Sequence, residues 1–159
     1  MHCLVTGGAG FIGSNLVNKL VSLGHSVEII DDFSNGHLEF IDQNKFRVSP
    51  VGLLPSFIDA KQDLSDIEVL VVEGDFSHPN ILERIRAGVY DVVFHQAAIP
   101  RVLFSVENPA ETTHTNIGKT VSLLEACIDN VDRVVLASSS SVYGGPDVMP
   151  IKESTEKNP

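Results

Sequence analysis

The stretch Thr6-Gly7-Gly8-Ala9-Gly10-Phe11-Ile12-Gly13 decides how this chain folds. It follows the apolar pair Leu4-Val5 and leads into Ile12, Leu16 and Leu20, which recur every four residues. A buried strand that turns on glycines into a helix accounts for that order. Each of three glycines has a physical job. Gly7 permits the tight turn, Gly10 lets the backbone approach a pyrophosphate, and Gly13 lets helix and strand pack closely. The helix start adds free N–H groups and the positive end of its dipole. Gly24 is placed to stop the helix.

Outward from this turn, short β-branched runs recur at Val27-Glu28-Ile29-Ile30, Val69-Leu70-Val71-Val72, Val89-Tyr90-Asp91-Val92-Val93-Phe94 and Val134-Val135-Leu136. They are nearly continuously apolar, the mark of strands covered on both faces. Helical patterns lie between them. Ser77-His78-Pro79 reads as a cap and first turn before Ile81, Leu82 and Ile85. Ile117, Val121, Leu124 and Ile128 predict a long amphipathic helix with an apolar stripe. The alternation predicts an α/β fold with a parallel sheet. Residues 37–67 read as a short helix, a surface insertion near 48–60 and another helical turn at 61–66. The proline-containing stretch 144–159 reads as an irregular tail.

Composition bounds the rest. The 159 residues suit one domain, with 43% hydrophobic residues and a net charge of −10. Such a surface repels nucleic-acid backbones and anionic membranes, and no apolar run approaches the ~18 residues of a membrane span. Met1 leads directly into His2-Cys3-Leu4-Val5-Thr6, without the basic and apolar segments of a signal peptide. Two cysteines, Cys3 and Cys127, make no disulfide scaffold, so a cytoplasmic location is expected. The histidines show no metal-ligand spacing, and no metal is expected. His95 reads as a packed, hydrogen-bonded residue and Cys127 as a small buried hydrophobe.

Asp31 ends the second predicted strand, 18 residues after Gly13. A carboxylate there accepts both ribose hydroxyls of an adenosine and repels a 2′-phosphate, which favours NAD over NADP.

Six further blocks extend the pattern of the glycine turn: Asp31-Asp32-Phe33-Ser34-Asn35-Gly36, Glu73-Gly74-Asp75-Phe76, His95-Gln96-Ala97-Ala98, Ser105-Val106-Glu107-Asn108-Pro109, Asn116 and Ser138-Ser139-Ser140-Ser141-Val142-Tyr143-Gly144. In this order they resemble the extended short-chain dehydrogenase/reductase family, within it the NAD-dependent sugar-nucleotide epimerases. The resemblance implies a Rossmann-type doubly wound parallel sheet of about five strands in the order 3-2-1-4-5. It places a Rossmann domain at 1–143, a tail at 144–159 leading to a catalytic helix, and a C-terminal substrate domain after it. It also implies roles. Gly7, Gly10, Phe11, Ile12 and Gly13 surround the pyrophosphate. Asp31, Asp32, Phe33, Ser34, Asn35 and Gly36 contact the adenosine ribose and phosphate. Asp75 and Phe76 flank adenine, with a plain turn aspartate as the alternative for Asp75. Gln96, Ala97 and Ala98 border the nicotinamide ribose, and Asn116 steadies the site. Ser139 is the catalytic hydroxyl, and Ser140 and Ser141 line the sugar pocket beside it.

In this family a tyrosinate takes a proton from a sugar hydroxyl as hydride leaves for NAD. The 4,6-dehydratases place Asp-Glu after the Ser/Thr, and decarboxylating relatives carry a Glu at the second of those positions. Ser140 and Ser141 stand there instead, and an unassisted serine is no base at neutral pH. The implied reaction is epimerisation at C4 of a UDP-hexose, UDP-N-acetylhexosamine or UDP-uronic acid. Half of another dehydratase, reductase or decarboxylase, or a non-catalytic NAD-binding module, are the alternatives. The family's Tyr-x-x-x-Lys is not in this sequence: Tyr143 is followed at 147 by aspartate. The chain is therefore expected to be the N-terminal half of a homodimeric enzyme and inactive alone. Lys119 stands where relatives usually carry glycine. The Val134-Val135-Leu136 strand is expected at an apolar open edge. The 159-residue chain should then self-associate in sedimentation, and a clean, stable monomer would count against that.

Overall fold

The computed structural model describes residues 1–41, 46–54, 69–145 and 149–159; the helical turn expected at 61–66 lies outside them. Five strands form where the sequence predicts them: β1 (His2–Thr6), β2 (Ser26–Asp31), β4 (Val69–Glu73), β5 (Val92–His95) and β6 (Arg133–Leu136). A sixth, β3 (Phe46–Pro50), was not expected. All pair in parallel, in the order β3-β4-β2-β1-β5-β6. Without β3, the remaining five strands have the order 3-2-1-4-5. The expected five-strand sheet is thus corrected to six, with part of the insertion forming an edge. Its residues Phe46-Arg47-Val48-Ser49-Pro50 lack a continuous apolar run because an edge strand has one neighbour and an open side. A short turn, Val51–Leu53, follows and accepts a hydrogen bond from Asn80 Nδ2 at 3.0 Å.

Successive side chains of each central strand enter opposite layers. Leu4, Ile30, Leu70, Val72 and Val93 join one core. Cys3, Val5, Val27, Ile29, Val69 and Val71 join the other. This double covering explains why the strands read as unbroken apolar runs. Helix α1 (Phe11–Ser22) covers one layer through Val17 and Leu20, while Ile12 is exposed. Helix α2 (Pro79–Arg86) covers the other through Ile81, Leu82 and Ile85. The residue that caps α2 is His78, whose Nδ1 accepts from Asn80 N, rather than Ser77.

The long helix expected around Ile117–Ile128 is instead a wide π-turn (His114–Lys119) followed by α5 (Thr120–Cys127), and two short helices, α3 (Val102–Glu107) and α4 (Pro109–Thr113), precede it. Its apolar stripe does not form the core. Ile117, Val121 and Ile128 are exposed, and Leu123, Ala126 and Cys127 pack inward instead. Small side chains at 126 and 127 allow that close face. Strand β6 lies at the sheet's edge, with Val135 and Leu136 partly exposed. The tail is tied back by Asn158 N donating to the Val142 carbonyl at 3.0 Å. Among the described residues no helix is long and apolar enough to cross a membrane.

Two buried polar networks fix the layers. In the first, Glu28 of β2 is fully buried. It pairs with Arg84 at 2.6 Å and accepts from the Tyr90 hydroxyl at 2.6 Å, while Arg84 Nε donates to Tyr90 at 3.0 Å. Burial pushes the Glu28 carboxyl up despite Arg84, and burial and Glu28 hold the Tyr90 phenol well above its usual range. In the second, Ala97 N donates to Thr6 Oγ1 at 3.2 Å, and the same hydroxyl shares a hydrogen bond with His95 Nδ1 at 2.7 Å. The other ring nitrogen, Nε2, meets Thr120 Oγ1 at 2.9 Å. Phe76 packs edge-on against the ring at 4.8 Å. Burial lowers the His95 pKa from 6.5 to about 4.

Removing one partner of a buried ion pair strands the other charge. Arg84→Met should lower unfolding free energy by about 3–5 kcal/mol in urea titration, and Tyr90→Phe by about 1–3 kcal/mol. His95 binds its proton less readily folded than unfolded. Its contribution to stability is present above pH 6.5 and lost as pH falls towards 4. A His95→Gln variant should show a shallower fall in urea midpoint across that window than the parent chain.

Candidate functional site

The site forms where β1, β2, β4 and β5 end together, the crevice outside the carboxyl ends of a parallel sheet. At its centre is the glycine turn. Gly7 has φ +67°, and a Cβ there would lie 2.8 Å from the Ala97 backbone nitrogen. A Cβ on Gly13 would lie 2.1 Å from the Gly7 carbonyl oxygen, so no other residue fits. The turn brings the start of α1 to the crevice. Phe11 and Ile12 stand exposed there, and first-turn amides have no partner within a helix. Gly10 caps α1 with no side chain, so the route to those amides is open.

Asp31 ends β2 and is buried. Its Oδ2 accepts from Ala9 N at 2.9 Å and its Oδ1 from Phe33 N at 2.9 Å. Burial raises the carboxyl pKa, and these two amides work against that rise. One carboxylate therefore holds the glycine turn and the next loop, and each oxygen keeps a further lone pair. The Phe33 amide bond steadies a left-handed backbone at φ +57°. Asp32 Oδ1 accepts from Ser34 N at 2.9 Å. Gly36 lies against Ala9 and Asp31, where a Cβ would come within 2.8 Å of both side chains. Across the crevice, the exposed Arg101 guanidinium donates to Asn35 Oδ1, a bridge that sequence reading did not foresee.

The loop after β4 is joined to β2 by Gly74 N donating to the Asp31 carbonyl at 2.9 Å. Asp75 Oδ1 accepts from both Ser77 N and Ser77 Oγ at 2.7 Å, so Asp75 does shape a turn. Its Oδ2 pairs with Lys119 from the π-turn. Burial raises the Asp75 carboxyl, but Lys119 and Ser77 outweigh it and hold it below its usual range. The Phe76 ring is in the core beside His95, so only its backbone can meet a base at the crevice.

After β5, Gln96 N donates to the Thr6 carbonyl at 3.1 Å and Ala97 N to Thr6 Oγ1 at 3.2 Å, which fixes the direction of Gln96-Ala97-Ala98. Asn116 grips the same segment from the π-turn: Oδ1 accepts from Ile99 N at 2.8 Å, and Nδ2 donates to Ile99 O at 3.0 Å. Beyond β6, Ser139 caps a single turn, Ser140–Tyr143. Its Oγ accepts from Ser141 N and donates to Ser141 Oγ, each at 3.1 Å. Ser139, Ser140 and Ser141 are all exposed. Thr6 and Thr120, which hold His95, carry no sequence signal, since threonine is common at strand ends and in helices. Among the described residues no three His, Cys, Asp or Glu side chains converge to hold a metal.

The residues present fit a dinucleotide. A side chain would fill the glycine cradle, the helix start receives an anion, and Asp31 offers acceptors one strand away.

The chain is 35% identical over 158 residues to a putative UDP-glucose 4-epimerase of Methanocaldococcus jannaschii, covering 98% of this chain and 44% of that protein. It is 34% identical over 143 residues to a UDP-N-acetyl-alpha-D-glucosaminuronate decarboxylase of Bacillus cytotoxicus, covering 90% of this chain and 38% of that one. A crystal structure of UDP-glucose 4-epimerase from Brucella ovis in complex with NAD superposes with a TM-score of 0.74 at 31% identity, covering 99% of this chain and 42% of that chain. The chain thus spans less than half the length of these relatives. A family model for the NAD dependent epimerase/dehydratase family matches residues 3–159. On these grounds the chain belongs to the NAD-dependent epimerase/dehydratase family.

Proposed function

We propose that this chain is the NAD-binding portion of a sugar-nucleotide 4-epimerase acting on a UDP-hexose, UDP-N-acetylhexosamine or UDP-uronic acid. Gly7, Gly10, Gly13 and the amides of Phe11 and Ile12 hold the pyrophosphate. Asp31 accepts from the adenosine ribose, with Asp32, Phe33, Ser34, Asn35 and Gly36 around it. Asp75 and the backbone of Phe76 meet adenine. Gln96, Ala97 and Ala98 line the nicotinamide ribose, kept in place by Thr6 and Asn116. Bound NAD supplies a hydride acceptor that can return what it takes. Ser139 Oγ holds the sugar hydroxyl, and Ser140 and Ser141 line the sugar pocket.

The observation that carries the reaction class is the hydroxyl run Ser139-Ser140-Ser141. Elimination or decarboxylation needs an acid–base group beside the sugar, and these serines have no activating partner among their hydrogen bonds. Oxidation at C4 and return of hydride to the other face needs none beyond the proton acceptor. The decarboxylase relative favours a second reading, loss of CO2 from a UDP-uronic acid. Without a tyrosine–lysine pair at Tyr-x-x-x-Lys spacing in these 159 residues, the chain alone does not turn over.

Titration calorimetry should show NAD bound in preference to NADP by at least about tenfold, and Asp31→Ala should abolish most of that preference. Equal affinity for the two would overturn the role of Asp31. Incubated with NAD and UDP-glucose, UDP-N-acetylglucosamine or UDP-glucuronic acid, the 159-residue chain should leave each unchanged. The complete gene product should give the C4 epimer of one of them, and release of CO2 would establish the second reading instead.

A further inference from the structure

The pairing of Asp75 with Lys119 has a consequence for which purine the crevice accepts. Asp75 lies two residues beyond Glu73, the partner of Asp31 in the β2–β4 register, so the two aspartates stand at the ends of neighbouring strands. Oδ1 of Asp75 already receives two donors from Ser77. Two acceptor positions per oxygen leave one position of Oδ2 for a base, the other being held by Lys119 Nζ. The pair is at the rim, with side-chain exposures of 21% for Lys119 and 39% for Asp75, within reach of a ligand.

A bare carboxylate at this point selects an amine, because it can only accept. Facing C6, it suits adenine's amine and repels the carbonyl of a 6-oxo purine, whose remaining donor on that edge is N1–H. The ammonium reverses part of that code: bound to the same oxygen, it weakens Oδ2 as an acceptor for the amine and offers a donor to a carbonyl. Resting on the proposal that Asp75 meets the base, we infer that Lys119 is a specificity-determining residue that weakens the discrimination between adenine and a 6-oxo purine in the bound dinucleotide.

The test compares NAD with nicotinamide hypoxanthine dinucleotide, which has a carbonyl in place of that amine and N1–H in place of the bare N1. Dissociation constants are measured by titration calorimetry on the 159-residue chain and on Lys119→Met and Lys119→Arg. Lys119→Met should raise the preference for NAD by about tenfold, the worth of one charge-assisted hydrogen bond. Lys119→Arg should keep the parent ratio. A structural role alone shifts both constants together, so an unchanged ratio in a folded Lys119→Met overturns the inference and leaves the NAD-binding proposal standing. Should Lys119→Met not fold, the parent chain decides. Raising salt from about 0.05 to 0.5 M screens the exposed pair, so its preference for NAD must rise, and a flat ratio overturns the inference. Failure of the parent chain to bind either dinucleotide overturns the binding proposal and this inference with it.

Discussion

The approach of Gly13 to the Gly7 carbonyl is the contact on which the rest of the molecule depends. With a Cβ of Gly13 only 2.1 Å from that oxygen, even alanine would push α1 off β1. Everything at the crevice follows from holding that distance. The start of α1 points at the ends of the strands, and Ala9 comes near enough for Asp31 to bind its amide. His37 N then reaches the Ala9 carbonyl at 2.9 Å, which closes the loop after β2 over the same turn. One absent methyl group thus sets the position of a helix, a strand end and a loop.

The second organising principle is that polar groups inside the layers come fully paired. Among the described residues no buried side-chain nitrogen or oxygen lacks a partner. Glu28 sits in the middle of an apolar strand, yet Arg84 and Tyr90 take up its charge from a different helix and a different loop. Burial keeps His95 uncharged, and both of its ring nitrogens meet threonine hydroxyls. The two networks lie at different depths. One joins β2 to α2 behind the crevice, and the other joins β1, β5 and α5 at its floor.

Much of this was legible in the sequence because it rests on local rules. The glycine spacing, the apolar runs and the Ser77-His78-Pro79 turn located five strands, α1 and α2 within a few residues. The misses share a cause: each depends on a partner far along the chain. Strand β3 is recognisable mainly from its pairing with β4, because the alternation Phe46-Arg47-Val48-Ser49 is short and ends at Pro50. The stripe Ile117, Val121, Ile128 has the right period but lies on the outer face, since the sheet selected the smaller residues Ala126 and Cys127. At the site, residue identity marked Asp31, Asp75 and Asn116. It did not show that Asp31 binds the glycine turn, that Asp75 is paired to Lys119, or that Asn116 holds Ile99 by both backbone groups.

The π-turn at His114–Lys119 carries one residue more than an ordinary helical turn would, and so it works as a phase shifter. Residues before it and after it are out of register by about 100° relative to a continuous helix. That offset lets Asn116 grip the loop after β5 while Thr120 and Leu123, only a turn or two on, face the sheet. Deleting any single residue between 114 and 119 would leave a perfectly good helix by every local measure. It would nevertheless rotate Asn116 away from Ile99 or Thr120 away from His95. The length of this segment is therefore constrained more tightly than its composition.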